Sequence, residues 1–419
     1  MSSPHELRRR LAYGLRLGAA AVVTAGGARP GVGGARALEP ATVLGETALL
    51  CRVAGRLLVD EPSLARFEGL GAAHARLGDA LTRALDPHHA ALAVAADPRC
   101  RGREAFPFAL LGDLDIGHRS VARHLFDLAG DDLGDEPDPF DRLELSWLQG
   151  LAEGCASPDV PTGSVLERGA DLLHGELTDA YALTRAVLHA TDCGLLPARS
   201  LRPSTSVADD AEALLGAALA SRNLDITAEL LWTWPMLDLP LSPGARYALA
   251  ELDRAEASHG FLPGPEHDPV VAAGLSPTDR STYVIQTSYH TGVAGAILAA
   301  ALLRAVDRDG RPPTGGRPAP ARHAAPTPDA DPLPLLGQAD GPWADALRAR
   351  PLGDRVGCTE LLIGAELRTA AARRDPARVH HVVAWAVDHG WAHLPSVRQG
   401  AALLSRVARV EAQPVTLAS

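Results

Sequence analysis

Along most of the chain apolar side chains recur every third or fourth position, and the strict alternation of a half-buried strand is almost absent. That period predicts helices over residues 5–24, 41–58, 62–84, 87–96, 117–129, 139–153, 164–174, 178–192, 206–221, 224–238, 244–258, 278–306, 342–350, 359–374, 376–389 and 396–412. Turn chemistry between them agrees. In D-E-P-S, residues 60–63, Pro62 suits the first turn of a helix. Ser164 and Glu167 stand in capping-box register. Three predicted helices run into one device: D-C-G-L-L-P (192–197), S-H-G-F-L-P (258–263) and D-H-G-W-A-H-L-P (388–395). Each offers a glycine for a left-handed terminus, an apolar residue to fold back, and a proline that forbids continuation.

Consecutive helical hairpins of this kind predict an all-α fold, either an α/α-toroid whose inner helices line a centre or an α-solenoid. The run Gly292–Leu303, G-V-A-G-A-I-L-A-A-A-L-L, is apolar on every side and therefore belongs in an inner layer. This favours the toroid-like arrangement. The pattern divides into an N-terminal helix with a Gly-rich segment (1–37), a main helical domain (38–306), a Pro-rich disordered linker (307–340) and C-terminal helices that pack back on the main domain (341–419).

Composition narrows the function. Apolar residues make up 46% of the 419, as in a globular protein, and aromatics only 4%, which disfavours a long carbohydrate cleft. All 40 basic residues are arginine. Without lysine there is no Schiff-base chemistry, no phosphate-loop lysine and no kinase-type lysine. A net charge of −11 with no basic run beyond Arg8–Arg10 disfavours nucleic acid as a partner. Five scattered cysteines without C-x-x-C fit a reducing cytoplasm and no cysteine-rich zinc site. Residues 8–38 loosely imitate an export signal, but Arg16 interrupts the apolar stretch, so a cytoplasmic first helix is the expectation and export the alternative. The longest apolar run, 12 residues, falls short of the roughly 20 needed to span a bilayer.

Three stretches carry candidate chemistry. In A-L-T-R-A-V-L-H-A-T-D-C-G, 182–194, a continuous helix would put Arg185, His189 and Asp192 on one face, where Asp192 could orient His189 as a general base. A solvent-facing stripe accounts for the same pattern. In N-L-D-I-T-A-E-L-L-W, 223–232, the carboxylates of Asp225 and Glu229 stand one turn apart with Trp232 next in line. Close carboxylates suit acid–base work or a metal, while acids near a helix start also complement its dipole. In Q-T-S-Y-H-T-G-V-A-G, 286–295, six hydrogen-bonding side chains lead directly into the all-apolar run; they must satisfy one another or line a pocket built on Tyr289, His290 and Thr291. D-D-L-G-D at 131–135 matches the D-D-x-x-D pattern of class I terpene synthases but reads as an acidic loop, and the adjacent pairs His88–His89 and His380–His381 diverge too far to chelate one ion.

Together T-R-A-V-L-H-A-T-D-C-G, N-L-D-I-T-A-E-L-L and T-S-Y-H-T-G-V-A-G resemble three blocks of an uncharacterised actinobacterial family, a domain of unknown function, over roughly residues 150–306. The resemblance implies that Thr184, Asp192, Asp225, Glu229, Tyr289 and His290 are the matching positions, with Arg185 and Cys193 where the family pattern has His and Phe. It implies no activity. The expectation is a small-molecule enzyme, of the natural-product tailoring kind, with His290, His189, Asp192, Asp225 and Glu229 as its acid–base set. Tyr289, Thr291, Trp232, Thr184 and Arg185 would contact substrate. No metal or cofactor is assigned. The rival expectation is a helical scaffold that binds a protein partner or sequesters a ligand.

Overall fold

A computed structural model of the chain describes residues 2–27, 31–67, 69–116, 118–130, 138–155, 160–175, 177–198, 202–309, 330–336 and 342–412. The acidic motif D-D-L-G-D at 131–135 and most of the proline-rich segment fall outside these residues. Among the described residues the fold is all-α and contains no strand. The first group of helices is α1 (Pro4–Gly26), α2 (Pro40–Asp60), α3 (Leu70–Ala84), α4 (Pro87–Ala96), α5 (Arg101–Gly112), α6 (Arg119–Ala129) and α7 (Pro139–Glu153). There follow α8 (Val165–Arg168), α9 (Leu177–Ala190), α10 (Ser204–Ala220), α11 (Leu224–Leu231), α12 (Thr233–Met236), α13 (Pro243–His259), α14 (Pro269–Gly274) and α15 (Pro277–Asp309). The last group is α16 (Leu333–Leu336), α17 (Pro342–Arg348), α18 (Leu352–Gly357), α19 (Thr359–Ala372), α20 (Pro376–Asp388) and α21 (Pro395–Ala412).

Local chemistry accounts for the boundaries. Ser3 and Glu6 close a capping box on α1, and Asp86, Ser242 and Asp375 cap α4, α13 and α20 through their side chains. Gly194, Gly260 and Gly390, the glycines of the repeated terminator, all take positive φ, at 80°, 81° and 85°. The departures from the periodic reading have local causes too. The stretch 62–84 splits into a 3-10 turn, Pro62–Arg66, and α3, separated by Gly69 at φ 72°. Over 164–174 only the single turn of α8 forms before Gly169 turns the chain at φ 85°. The stretch 224–238 breaks at Trp232, because Pro235 has no amide hydrogen to continue the ladder. Helix α5 was absent from the periodic reading because Pro107 lies inside it.

Helix α15 is the axis on which the site is built. Val293 through Leu303 are buried on all sides, against α1, α2 and α11. By length and composition, residues 277–306 could cross a bilayer, but 83% of the apolar window is buried inside the protein. The approach of α1 to α15 requires glycine: a Cβ on Gly14 would lie 2.3 Å from that of Ala296. The buried guanidinium of Arg10 ties α1 to α13 through Asp253 and Glu256, at 2.8 and 2.5 Å. A second apolar cluster joins α19, α20 and α21 around Ile363, Leu367, Val379 and Val382. Helix α19 crosses α10 as closely as α1 crosses α15, since a Cβ on Gly216 would stand 2.2 Å from the carbonyl of Leu361.

Candidate functional site

Asn223 caps α11 by accepting from the amide of Ile226, and this start places Asp225 and Glu229 one turn apart toward α15. Both are buried, each only 4% exposed. His290 reaches them from α15: its Nε2 lies 3.1 Å from Oδ2 of Asp225 and 3.5 Å from Oε1 of Glu229. On the other side of the ring, Nδ1 lies 2.9 Å from Oε2 of Glu46, contributed by α2. Hydroxyls hold the carboxylates in turn. Tyr181 donates to Asp225 at 3.4 Å and Thr184 donates to Glu229 at 2.9 Å. Among the described residues no arginine pairs with any of these three carboxylates.

The electrostatics follow from this cage. Burial works against a charge on His290, but the carboxylates of Asp225 and Glu46, with Glu229, more than offset it and raise its pKa well above the ordinary value. Burial, reinforced by Asp225 and Glu229, pushes the Tyr181 phenol up to about 12. Burial, with Glu46 beside it, likewise raises Tyr289. These hydroxyls stay protonated and act as donors.

Glu46, Glu229 and His290 form one part of the wall of a cavity of ≈ 290 Å³. Another part comes from α7 and α9. There the His189 ring stacks on Trp147 with centroids 4.7 Å apart, and its Nε2 lies 3.6 Å from Oε2 of Glu144. Arg185 approaches the same carboxylate at 3.8 Å. Complete burial, with the Arg185 charge adding to it, drives the His189 pKa down to about 3. Burial raises Glu144. The His189 Nδ1 is buried without a hydrogen-bond partner among the described residues. Leu49, Phe106, Trp232, Val293 and Ile297 supply the apolar wall, and Arg103 adds a second guanidinium. The cavity is thus apolar in its body and strongly polar at a few places, the usual make-up of a small-molecule site.

Of the residues singled out from sequence, His290, Glu229, His189, Arg185 and Trp232 line this cavity. Asp225 and Thr184 stand behind it, holding His290 and Glu229. Trp232 is oriented by donating to the carbonyl of Ala294 at 3.1 Å. Thr291 is buried, 1% exposed, and is not part of the lining.

Asp192 departs from its expected role. Helix α9 ends at Ala190, so the continuous face that would align Asp192 with His189 does not exist. Asp192 and Cys193 take positive φ, 49° and 58°, and the Asp192 carboxylate turns to Arg52 at 2.9 Å and to the indole of Trp147 at 2.7 Å. Arg52, only 1% exposed, also binds Asp113 at 2.8 Å and lies 5.6 Å over the Trp147 ring. Asp192 therefore fastens the end of α9 to α2 and α7, while Glu144 faces His189 in its place.

Glu46, Glu144, Tyr181 and Arg103 were not anticipated. The two acids carried a signal. Glu46 falls three and four residues from Val43 and Leu50, and Glu144 from Trp147 and Leu148, so each interrupts the buried stripe of its helix.

A family model described as a domain of unknown function (DUF6895) matches residues 28–300, a span that encloses every residue lining the cavity. No curated protein and no solved structure matches the chain.

Proposed function

Since this chain belongs to the DUF6895 family, whose description carries no activity, we propose from its own residues that it takes a small, partly apolar metabolite into the cavity and moves a proton on it. One observation carries this reading. Two imidazoles border a single cavity, and their surroundings push their proton affinities in opposite directions. Such a split between neighbouring titratable groups is how one site holds an acid and a base at the same pH.

The roles follow from geometry. His189 is neutral, and its partnerless Nδ1 is available to a bound molecule. Glu144, with raised proton affinity, stands 3.6 Å from Nε2 of His189 and takes its proton once a bound ligand draws the two into hydrogen-bond contact. The cage of Glu46, Asp225, Glu229 and His290 supplies a fixed charge pattern on the other wall. Phe106, Trp232 and Ile297 bury the apolar body of the ligand, and Arg185 and Arg103 favour an anionic or carbonyl group. All five cysteines are free, which suits the reducing cytoplasm this reading assumes.

Mass spectrometry of natively purified full-length protein is the direct test. A co-purifying small molecule that is lost from Glu144→Gln or His189→Phe protein supports the reading. A preparation that binds nothing from a metabolite extract removes it, and a ligand returned unchanged after prolonged incubation makes the chain a carrier and removes the proton-transfer step.

A further inference from the structure

Resting on that reading only for the cavity and its bound molecule, we propose that the carboxylate cage is a divalent-cation site in which Asp225, Glu229 and Nε2 of His290 are the ligands, the ion taking the place of the proton on Nε2. Ligand atoms of the three residues all lie within 4.8 Å of one another. Metal–oxygen and metal–nitrogen bonds of about 2.1 Å place neighbouring ligands roughly 3.0 Å apart at right angles and 3.4 Å apart in a tetrahedron. The Nε2 of His290 stands 3.1 Å from Asp225, inside that range, and 3.5 Å from Glu229, just above it. Little movement is needed to receive an ion.

Charge points the same way. Three carboxylates converge on one imidazole, and no arginine among the described residues pairs with them. A buried cluster of that composition is short of positive charge, and a divalent ion supplies it. An independent sign is Oδ1 of Asp225: it is buried, without a hydrogen-bond partner, on a residue only 4% exposed. Polar atoms in such a setting are ordinarily satisfied.

The groups around the cage are those that orient metal ligands. Glu46 lies 2.9 Å from Nδ1 of His290, on the side of the ring away from Nε2, where a carboxylate can steer the imidazole without occupying the ligand position. Thr184 and Tyr181 donate to Glu229 and Asp225. His290 keeps 31% of its side chain exposed, and with Glu229 it lines the cavity, so the ion keeps a position open to a bound molecule. Two carboxylates with one imidazole and no thiolate suit Mn²⁺, Fe²⁺ or Zn²⁺.

The test is calorimetric titration of chelator-treated full-length protein with Mn²⁺ and with Zn²⁺, read together with the thermal shift each metal produces. Wild type is expected to bind one ion saturably at micromolar metal. Glu46→Gln should weaken binding about 10-fold, and Asp225→Asn or Glu229→Gln by more than about 100-fold. Far-UV circular dichroism establishes that each variant is folded. Glu46→Gln, which removes no ligand, serves as the readout if the ligand variants do not fold. Glu144→Gln, on the other wall, should bind metal as wild type does. No saturable binding by wild type overturns the proposal, as does undiminished binding by all three folded cage variants. Either result can coexist with retention of a small molecule, and loss of the small molecule can coexist with intact metal binding, so the two readings fail separately.

Discussion

Replacing Arg52 by methionine removes the cation at the centre of the buried network that ends α9. The guanidinium is 1% exposed and binds Asp113 at 2.8 Å and Asp192 at 2.9 Å. Asp113 loses little, because Arg56 still reaches it at 2.5 Å. Asp192, 4% exposed, would keep only the Trp147 indole at 2.7 Å. Breaking a buried ion pair from one side costs about 3–5 kcal/mol, because the other charge is left in a poor dielectric. The surviving indole bond, worth about 1 kcal/mol or more, places the expected loss near the lower end, about 3 kcal/mol. In Arg52→Met/Asp192→Asn the stranded charge is gone, and asparagine tolerates the left-handed backbone at φ 49°. About half of the lost stability should return. Urea denaturation followed by far-UV circular dichroism measures both variants. A loss below about 1 kcal/mol for Arg52→Met, or a double variant no more stable than the single one, would refute the account of Asp192 as a fastening residue.

Other consequences are as direct. Gly14→Ala should lower the thermal midpoint despite the better helix propensity of alanine, since overpacking costs about 1–3 kcal/mol against a gain of about 1 kcal/mol; an unchanged or raised midpoint would contradict the close α1–α15 crossing. His189, held near 3, takes up its proton in the unfolded chain first. Its contribution is therefore whole above about pH 6.5 and is lost as pH falls toward 3, at up to about 1.4 kcal/mol per pH unit. Glu144, whose raised pKa lets the folded state take a proton earlier, partly masks this, so the comparison belongs in a Glu144→Gln background. There His189→Asn should flatten the acid limb of the stability–pH curve, and identical limbs would disprove the buried neutral imidazole. Arg185→Gln should weaken binding of an anionic cavity ligand about 10-fold in equilibrium dialysis, whereas equal affinity would take Arg185 out of recognition.

Much of the architecture was legible before any packing was known. Apolar period, proline starts and glycine stops located most helices, because those signals act within a few residues of chain. The acid pair Asp225 and Glu229, one turn apart, and the polar run 286–291 that contains His290 were legible for the same reason. Helix α5 was not, since Pro107 is a stop signal that tertiary packing overrode. Nor was Asp192: its alignment with His189 assumed two further residues of helix, and the chain instead takes three successive positive φ values at 192–194.

What the amino-acid sequence determined by itself is local: which segments coil, which face of each is apolar, and which polar groups interrupt an apolar face. The tertiary structure alone decided that Glu46, Asp225 and His290, from three separate helices, share one cage, and that Glu144 rather than Asp192 meets His189. Helix hydrogen bonds span four residues, so their rules can be read along the chain. The meeting of residues 46, 225 and 290 depends on how ridges and glycines let whole helices approach, and that is a property of packed surfaces.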